Sequence, residues 1–483
     1  MSPQPHLRSG VLDLLSEASR VYRDSRRATT WLRDHLYRFD EPLRIAVTGR
    51  AHTGKSMVVN LLVGEDVAPV EVGGEGGPLT WYQDGSVPRV TIYPGQGPVH
   101  DVPVARLGSG LRLDLSRWQP QEVNEVVVEL PVRALRHAQL IDSPAVTPAS
   151  EDGSVARRVL RDADAVLYLT RQLGAADLAF LRSAQKGSGP LALPVNVLVV
   201  LSRADEIGGG RIDALGTARQ IARRYGREPD VHPLCQNVVA LAPLIARTGS
   251  TLTDSEFLAL ATLADVSRSE LEPFLLSTDR FTGGGFPVPL DTTVRGALLD
   301  RLGPSGVRLA VTLIRTGSRT REKVAEQLVR RSGLPEVRES IREFFLDRRQ
   351  VLKARTALLA LDFMLRAEPR EDADHLRAEL ERLTASAHDF LELRTLAALR
   401  TGRVTLPDPL ATEARRLLGA DGTSILARLG IEHESSDDEL WSRLHDVLRR
   451  WQDETESVLL TADQRRAALA VTRSCEGMLS YFV

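Results

Sequence analysis

The chain has 483 residues, of which 42% are hydrophobic and 26% are charged, and its formal net charge at pH 7 is −2. A chain of this length is too long for one hydrophobic core and predicts two or three domains. The near-neutral charge provides no global positive field, so we expect no nucleic-acid partner. The chain has two cysteines, which cannot form a disulfide framework and favour free thiols in a reducing cytoplasm.

The sequence shows no pattern of a membrane-spanning or secreted protein. Its N-terminus lacks the apolar stretch of a signal peptide. Apolar runs such as 307–314 fall well short of the roughly 20 residues that a membrane span needs. We therefore expect a cytoplasmic protein whose membrane contact is peripheral.

The first predicted element is an amphipathic helix over residues 11–37. Apolar residues recur there at three- and four-residue spacing, and arginines fall mostly on the other faces. These arginines form either a solvated face or a surface that meets anionic lipid. A helix ahead of the first strand has no role in a minimal nucleotide-binding domain. We therefore expect residues 1–40 to pack on the helical C-terminal region of the chain.

The strongest motif is GRAHTGKS at residues 49–56, which fits G-x-x-x-x-G-K-[ST] at every fixed position. A β-branched run over 43–47 predicts a buried parallel strand before it. Lys55 is expected to reach the β- and γ-phosphates, and Ser56 to offer a hydroxyl to Mg²⁺ as a helix begins. Lysine occupies four positions among 62 Lys and Arg, so its presence here favours a phosphate contact. The other predicted nucleotide-binding residues of the loop are Gly49, Arg50, Ala51, His52, Thr53 and Gly54.

Strand-like runs then alternate with helical patterns, as in an α/β domain. The predicted strands are 89–93, 125–130, 139–141, 165–170, 195–201 and 237–241, and the predicted helices are 153–162, 175–185 and 212–225. Glycine runs at 73–77 and 208–210 are expected to be loops at the strand ends, where a doubly wound sheet keeps its ligand. We assign residues 41–318 to this domain and predict a mostly parallel sheet with helices on both faces.

Residues 202–205, SRAD, follow a predicted strand at the place where GTPases carry [NT]-K-x-D. Asp205 would accept two N–H bonds from the guanine edge, and the stem of Arg203 would lie over the ring. Ser202 is a weaker match to the pattern. An ordinary N-cap aspartate before a helix is the alternative for Asp205.

Residues 140–145, LIDSPA, resemble the D-x-P-G switch of GTPases. Asp142 would hold Mg²⁺ through water, and the N–H of Ala145 would meet the γ-phosphate, with alanine standing where glycine is expected. Thr80 is predicted to be a second Mg²⁺ hydroxyl beside Ser56, because it follows the P-loop helix and a glycine stretch. The predicted catalytic residues are Lys55, Ser56, Thr80 and His52, and the predicted metal ligands are Ser56, Thr80 and Asp142.

Strand patterns stop after this domain, and we assign residues 319–483 to an all-helical neck and trunk. A heptad-spaced apolar stripe over 337–365 predicts one helix of about 30 residues. A second long helix is predicted over 374–399, and a last one follows the capping-box pattern at 461–464. Long helices after a nucleotide domain favour a device that transmits motion, and a static helical domain is the alternative.

The motifs GRAHTGKS, GGPLT, DSP and SRAD, with one helix before them and long helices after them, resemble those of a bacterial dynamin-like GTPase over essentially the whole chain. Residues 202–215 and 332–361 are most similar to the C-type isoniazid-inducible proteins of mycobacteria and their actinobacterial relatives. The resemblance implies a large GTPase that binds GTP and GDP with low affinity. It also implies dimerisation through the nucleotide domain, with itself or a related dynamin-like GTPase, and coupling to membrane binding or fission.

Two functions remain open at this point. Efficient dynamins carry Gln and Ser inside the P-loop, whereas this chain has Ala51 and His52, so we expect slow turnover. The protein is either an enzyme that remodels anionic membranes at the inner face of the cell membrane, or a GTP-controlled scaffold with little hydrolysis. A third hypothesis, an RNA-associated GTPase, is less favoured because the net charge of the chain is near neutral. The loop 401–410 is the candidate membrane contact, because it contains Arg403 and two prolines and follows Arg400. The turn 367–373 is acidic and a poor match for anionic lipid.

Overall fold

The computed structural model consists of a nine-stranded, mostly parallel sheet with helices on both faces and a helical C-terminal region, which confirms the predicted fold class. It describes residues 5–68, 78–107, 110–113, 118, 122–146, 158–159, 161–183, 196–211, 213–231, 233–400, 402–431 and 435–482. The predicted glycine loop 73–77 and most of the predicted helix 153–162 lie outside the described residues.

The sheet is centred on the strand that precedes the P-loop. The strands are β1 (Leu43–Gly49), β2 (Leu79–Asp84), β3 (Arg89–Pro94), β4 (His100–Val102), β5 (Val104–Leu107), β6 (Gly110–Leu113), β7 (Val123–Leu130), β8 (Ala138–Asp142), β9 (Ala165–Thr170), β10 (Val197–Ser202) and β11 (Asn237–Leu241). Their order is β11-β10-β9-β1-β8-β2-β7-β3-β4, and β5 pairs with β6 separately. Strands β8, β1, β9, β10 and β11 run parallel, whereas β2 is antiparallel to β8. The carboxyl ends of the parallel strands therefore share one edge, where such sheets bind ligands.

Helices cover both faces of the sheet, and the described C-terminal region after the sheet consists of helices. The helices up to residue 315 are α1 (Pro5–Val21), α2 (Arg26–Arg38), α3 (Lys55–Val63), α4 (Ala175–Ser183), α5 (Ala214–Tyr225), α6 (Pro243–Thr251), α7 (Asp254–Ala264), α8 (Arg268–Leu271), α9 (Thr278–Thr282) and α10 (Thr292–Arg315). The later helices are α11 (Arg321–Arg331), α12 (Leu334–Ile341), α13 (Arg349–Ala367), α14 (Asp374–Ser386), α15 (His388–Arg400), α16 (Asp408–Leu417), α17 (Ile425–Leu429), α18 (Asp437–Glu456) and α19 (Ala462–Leu479).

All six strands predicted after the P-loop are present, with ends that differ by at most two residues. The sequence pattern does not predict β2, β4, β5 or β6. Strands β4 to β6 have only three or four residues, which is too short for a period-two alternation to be visible. Strand β2 begins directly after a glycine-rich stretch. It places Thr80 inside the sheet.

The sheet buries both of its faces, as a parallel sheet between helix layers must. Along β10, Leu198 and Val200 join the core on one face, whereas Val197, Val199 and Leu201 join the core on the other. Each of these side chains is at most 2% exposed. Burying a Val or Leu side chain contributes about 1.5–3 kcal/mol to the free energy of folding. This packing fixes the strand ends from which the functional loops leave.

The single N-terminal helix predicted over 11–37 is wrong, because the structure has two helices there. They are separated since Ser25 accepts a hydrogen bond from the Ala28 N–H and caps the start of α2. The Tyr22 ring is buried at the break, and its hydroxyl donates to the Glu368 carbonyl at 2.8 Å. Both α1 and α2 pack against α13.

The long neck helix predicted over 337–365 is also interrupted. Helix α12 passes through a π-helical turn at 342–346 before α13 begins. The second predicted helix, 374–399, breaks at Ala387, whose extended backbone separates α14 from α15. A continuous apolar stripe therefore does not require a continuous helix. The last predicted helix is α19, and Thr461 caps its start as predicted.

The predicted domain boundary at residue 318 falls between α10 and α11. Helix α11 packs against α6, and α12 packs against β11. Gly333, between these two helices, has φ +91°, and a Cβ there would lie 2.0 Å from the Ala240 carbonyl oxygen, so glycine permits the close approach. Helices α15 to α19 contribute to a separate core. None of the described helices is both long and apolar enough to cross a bilayer.

Candidate functional site

The P-loop leaves the carboxyl end of β1 and leads into α3. Gly49 has φ +144°, and a Cβ there would lie 2.0 Å from the Leu169 carbonyl oxygen on β9. Gly54 has φ +81° and occupies the N-cap of α3. Both positions favour glycine because other residues rarely adopt this backbone. The amino end of α3 that follows suits an anion.

The Lys55 side chain folds back onto its own loop. Its Nζ donates to the Arg50 carbonyl oxygen at 3.0 Å, and the Thr53 hydroxyl donates to the same oxygen at 2.8 Å. Burial lowers the pKa of Lys55, and the negative charge of Asp142 opposes that shift. The ammonium is thus held within the phosphate-binding loop, where a compact cation is needed.

Ser56, Thr80 and Asp142 meet where β2 and β8 pair. The Ser56 hydroxyl donates to Asp142 Oδ2 at 2.8 Å. Thr80 stands directly opposite Asp142 in the antiparallel ladder, which puts their side chains on the same face with Cβ atoms about 4.5–5.5 Å apart. Hydroxyl and carboxylate oxygens are the ligands that Mg²⁺ prefers. Among the described residues no cluster of three His, Cys, Asp or Glu side chains offers another metal site.

Burial shifts the pKa values of Asp142 and of a tyrosine beside it. Burial raises the pKa of Asp142 to about 6, although the Ser56 hydrogen bond and the Lys55 charge act in the opposite direction. The neighbouring Tyr82 is fully buried, and its hydroxyl has no hydrogen-bond partner within the described part of the chain. Burial and the charge of Asp142 raise the pKa of Tyr82 well above its ordinary value. Asp142 is half-buried beside one hydroxyl and one ammonium, and a cation there would further offset the cost of burying its negative charge.

The segment after Asp142 runs beside the end of β1. The Ser143 N–H donates to the Val47 carbonyl at 3.2 Å, and the Val146 N–H donates to the Gly49 carbonyl at 3.0 Å. Ala145 lies between them and is 8% exposed. Its φ is negative, so alanine follows this path without backbone strain in place of the expected glycine.

The SRAD segment contacts the P-loop from β10. Ser202 Oγ lies 3.7 Å from the Cβ position of Gly54 and, within the described residues, has no hydrogen-bond partner. Asp205 is 4% exposed, and burial raises its pKa to about 6. Its Oδ2 lies 3.9 Å from the Cβ position of Gly303 on α10. Asp205 sits inside the 3₁₀ turn Ala204–Gly209 rather than at a helix N-cap, which argues against the alternative explanation.

The structure therefore joins Ser56 to Asp142 by a hydrogen bond and places Thr80 opposite Asp142 in the ladder. Ser202 links the SRAD segment to the P-loop. Asp205 itself lies against α10. Ala51 and His52 are exposed at the tip of the loop. Three further side chains at this edge were not predicted from the sequence, namely Tyr82, Arg171 and Glu206. The signal for Arg171 was available, because a charged residue directly after a buried parallel strand lies at the ligand-binding edge.

Comparison with known proteins identifies the family. No family model matches the chain. The chain is 37% identical over 454 residues to the isoniazid-induced protein IniC of Mycobacterium tuberculosis, in strains CDC 1551 / Oshkosh and ATCC 25618 / H37Rv, and the alignment covers 92% of this chain and 91% of the relative. The chain belongs to the IniC family. The resemblance predicted from the SRAD and neck segments is thereby confirmed.

Solved structures of bacterial dynamins align to the IniC-family chain only weakly. Two structures of an oligomerised bacterial dynamin pair, described as sensing and tethering membranes at long range, give TM-scores of 0.32 and 0.33 at 13% identity. These alignments cover 98% and 100% of this chain and 75% of each dynamin chain. The LeoA bacterial dynamin GTPase from ETEC gives a TM-score of 0.24 at 11% identity, covering 99% of this chain and 77% of LeoA. Alignments at this level carry no argument about function.

We expect Mg²⁺-dependent nucleotide binding by this IniC-family chain to fall as the pH drops through about 6. Because the folded-state pKa of Asp142 is raised, its carboxylate takes up a proton at a higher pH than an exposed aspartate does. The protonated group no longer attracts the cation, so binding should be full above about pH 7 and mostly lost near about pH 5. Titration with a fluorescent GTP analogue across this range measures the midpoint. More Mg²⁺ should move the midpoint to lower pH, and a midpoint that ignores Mg²⁺ would contradict the assignment.

Proposed function

We propose that this IniC-family chain is a dynamin-like large GTPase that binds GTP with Mg²⁺ and hydrolyses it slowly at the membrane. The observation that supports this most is the Ser56–Asp142 hydrogen bond, with Thr80 paired opposite Asp142, beside a P-loop. The combination unites a phosphate-binding loop with two hydroxyls and one carboxylate suited to Mg²⁺.

Each side chain of the loop has a separate role in this proposal. Lys55 exchanges the Arg50 carbonyl for the β- and γ-phosphates. Ser56, Thr80 and Asp142 would hold Mg²⁺, the two hydroxyls as direct ligands and the carboxylate through water. Bound Mg²⁺ neutralises negative charge that develops on the phosphates. The N–H of Ala145 would contact the γ-phosphate, since its segment follows the end of β1.

The guanine base is assigned to the SRAD segment. Asp205 accepts two N–H bonds from the edge of the base, which compensates a carboxylate that is 4% exposed. The Arg203 side chain lies over the face of the ring. Ser202 connects this segment to the P-loop, so that base and phosphates occupy one continuous edge of the sheet.

Slow turnover follows from the tip of the loop. The methyl group of Ala51 cannot orient an attacking water. His52 is exposed and has φ +59°, so its side chain is free of core packing and is available near the γ-phosphate. We therefore assign the residual hydrolysis to electrostatic stabilisation by Lys55 and Mg²⁺, with His52 as the candidate water-positioning group.

Nucleotide preference tests the proposal. Unlabelled GTP should displace a fluorescent GTP analogue at concentrations at least about tenfold lower than ATP, because a carboxylate that accepts N–H bonds rejects the adenine edge. Asp205→Asn should weaken GTP binding and favour xanthosine triphosphate, since an amide can donate to the carbonyl that xanthine carries in place of the guanine amine. Equal displacement by GTP and ATP would contradict the proposal.

The membrane contact is assigned to the turn between α18 and α19. Val458 and Leu459 are 92% and 89% exposed there, more than the other large apolar side chains of the described residues. Gln464 donates to the Thr405 carbonyl at 2.5 Å, so Thr405, in the loop predicted from the sequence, lies close to the start of α19 after this turn. Two aliphatic side chains at the tip of a helical hairpin suit the headgroup boundary of a bilayer. The protein would then act peripherally on anionic lipid at the inner face of the cell membrane.

A double substitution tests this contact. Val458→Asp with Leu459→Asp should reduce co-sedimentation with anionic liposomes by about tenfold or more, because burying each aliphatic side chain contributes about 1.5–3 kcal/mol. Leu258→Asp with Leu276→Asp is the matched control, since these leucines are 63% and 64% exposed on the sheet domain. The control should bind as the wild type does, and full binding by the tip variant would remove the assignment.

A GTP-controlled scaffold, or a hetero-partner of another dynamin-like GTPase, is the second candidate. Ala51 favours it, because a P-loop without a water-orienting side chain suits binding better than hydrolysis. Association through the nucleotide domain serves either function. Liposome remodelling with GTP but not with a non-hydrolysable analogue supports the enzyme, and equal remodelling with both supports the scaffold.

A further inference from the structure

One carboxylate at the nucleotide edge is held between two arginines. Glu206 Oε1 accepts from Arg203 NH1 at 2.9 Å, and Glu206 Oε2 accepts from Arg171 NH2. The three side chains are 39–54% exposed. They form a chain of charges, Arg171–Glu206–Arg203, that lies on the rim of the sheet rather than in its core.

The sheet topology brings these groups together. Arg171 follows the last residue of β9, and Arg203 follows the last residue of β10. The two strands are parallel neighbours, with Thr170 paired to Leu201, so both arginines leave the same edge as the P-loop. Glu206 lies one turn after Arg203 in the following 3₁₀ turn.

Arg203 also has an unusual backbone. Its φ is +56°, a left-handed conformation that residues other than glycine rarely adopt because it is strained. Such a residue persists where its surroundings determine it, and these residues cluster at ligand sites. The conformation directs the Arg203 side chain to a position where Glu206 receives it.

From this arrangement we propose that Arg171 and Glu206 are positioning residues that hold the Arg203 guanidinium flat against the purine ring. The inference rests on the proposed function, because it takes the SRAD segment as the base site. A guanidinium can do both tasks at once, since its N–H edge pairs with a carboxylate while its weakly hydrated face stacks on an aromatic ring. A lysine in place of Arg203 has no such edge, which explains why the carboxylate and second arginine accompany arginine here.

Pre-organisation is the physical gain. A free arginine side chain samples many rotamers and loses much of that conformational entropy when it is fixed. Because Glu206 and Arg171 already order the Arg203 side chain in the nucleotide-free protein, nucleotide binding loses less conformational entropy at Arg203. An ordinary surface ion pair would contribute little to stability and nothing to nucleotide affinity.

Steady-state kinetics of the full chain test the inference. Arg171→Ala and Glu206→Ala should each raise the KM for GTP by about three- to tenfold, leave kcat at saturating GTP unchanged and leave the melting temperature within about 2 °C of the wild type. Arg171→Lys should restore most of the affinity, because lysine can still pair with Glu206. Arg224→Ala is the matched control, since Arg224, in the last turn of α5, forms an exposed pair with Glu228 at 3.4 Å.

Inorganic tripolyphosphate separates base binding from phosphate binding. It fills the P-loop without a base, so its inhibition constant should be the same in the wild type, Arg171→Ala and Glu206→Ala. An unchanged KM for GTP in both alanine variants, or an equal loss of tripolyphosphate binding, overturns this inference alone. A wild type that does not prefer GTP over ATP overturns the proposed function, and this inference falls with it.

Discussion

Replacing Lys55 with alanine is expected to lower GTP turnover by on the order of 10²- to 10³-fold, the loss that follows removal of one group that stabilises transition-state charge. In the structure the ammonium bonds to the Arg50 carbonyl within the P-loop and interacts with Asp142. Alanine removes the positive charge and leaves the loop glycines in place. Phosphate release measured at saturating GTP and Mg²⁺ gives the rate.

The chain supplies its own control for this variant. Lys323 is exposed near the start of α11. Lys323→Ala therefore makes the same substitution outside the P-loop. Turnover of Lys323→Ala should equal that of the wild type. If Lys55→Ala also hydrolysed GTP at the wild-type rate, with normal magnesium dependence, the P-loop would not be the catalytic centre.

Asp164→Ala is expected to lower the free energy of unfolding by about 3–5 kcal/mol, the cost of removing one partner from a buried ionic cluster. Asp164 is 2% exposed and accepts a hydrogen bond from the Arg44 N–H at 3.0 Å. Arg38 NH2 lies 3.4 Å from its Oδ1, and Lys353 Nζ lies 3.9 Å from its Oδ2. Without the carboxylate, the two buried cations Arg38 and Lys353 lose their largest favourable charge interaction.

Denaturant unfolding followed by circular dichroism measures this loss. Asp40→Ala is the control, because Asp40 is 79% exposed and pairs with Arg8 at 2.6 Å on the surface. Its removal should change the free energy of unfolding by less than about 1 kcal/mol. Equal stability of the two variants would show that the Asp164 cluster is hydrated rather than buried.

The parts of the site that are contiguous in the sequence could be predicted. The P-loop spacing fixes Gly49, Gly54, Lys55 and Ser56 through local backbone geometry alone, and the structure has the positive φ values that this geometry requires. The fold class followed in the same way, because β-branched runs alternating with helical patterns allow few architectures. Strong local periodicity in the sequence was therefore enough to predict most of the fold.

What depends on pairing between distant segments could not be predicted. Thr80 was selected for its position after a glycine stretch, yet its place opposite Asp142 comes from an antiparallel ladder between β2 and β8. The pairing of Glu206 with Arg171 depends on β9 and β10 being neighbours. The apolar stripe continues across the break between α1 and α2, so the pattern does not predict the break. The hydrogen bond by which the Ser25 side chain caps α2 competes with a continuous helix and determines where α2 begins.

The hydrogen bond from Tyr22 to the Glu368 carbonyl spans 346 residues of sequence. During synthesis α1 and α2 emerge before the sheet domain, whereas the surface of α13 that covers their apolar side chains emerges only after that domain has been made. Closing so large a loop is slow compared with local helix formation. The apolar side chains of α1 and α2 therefore stay uncovered for most of translation, a state that favours aggregation until α13 has been made.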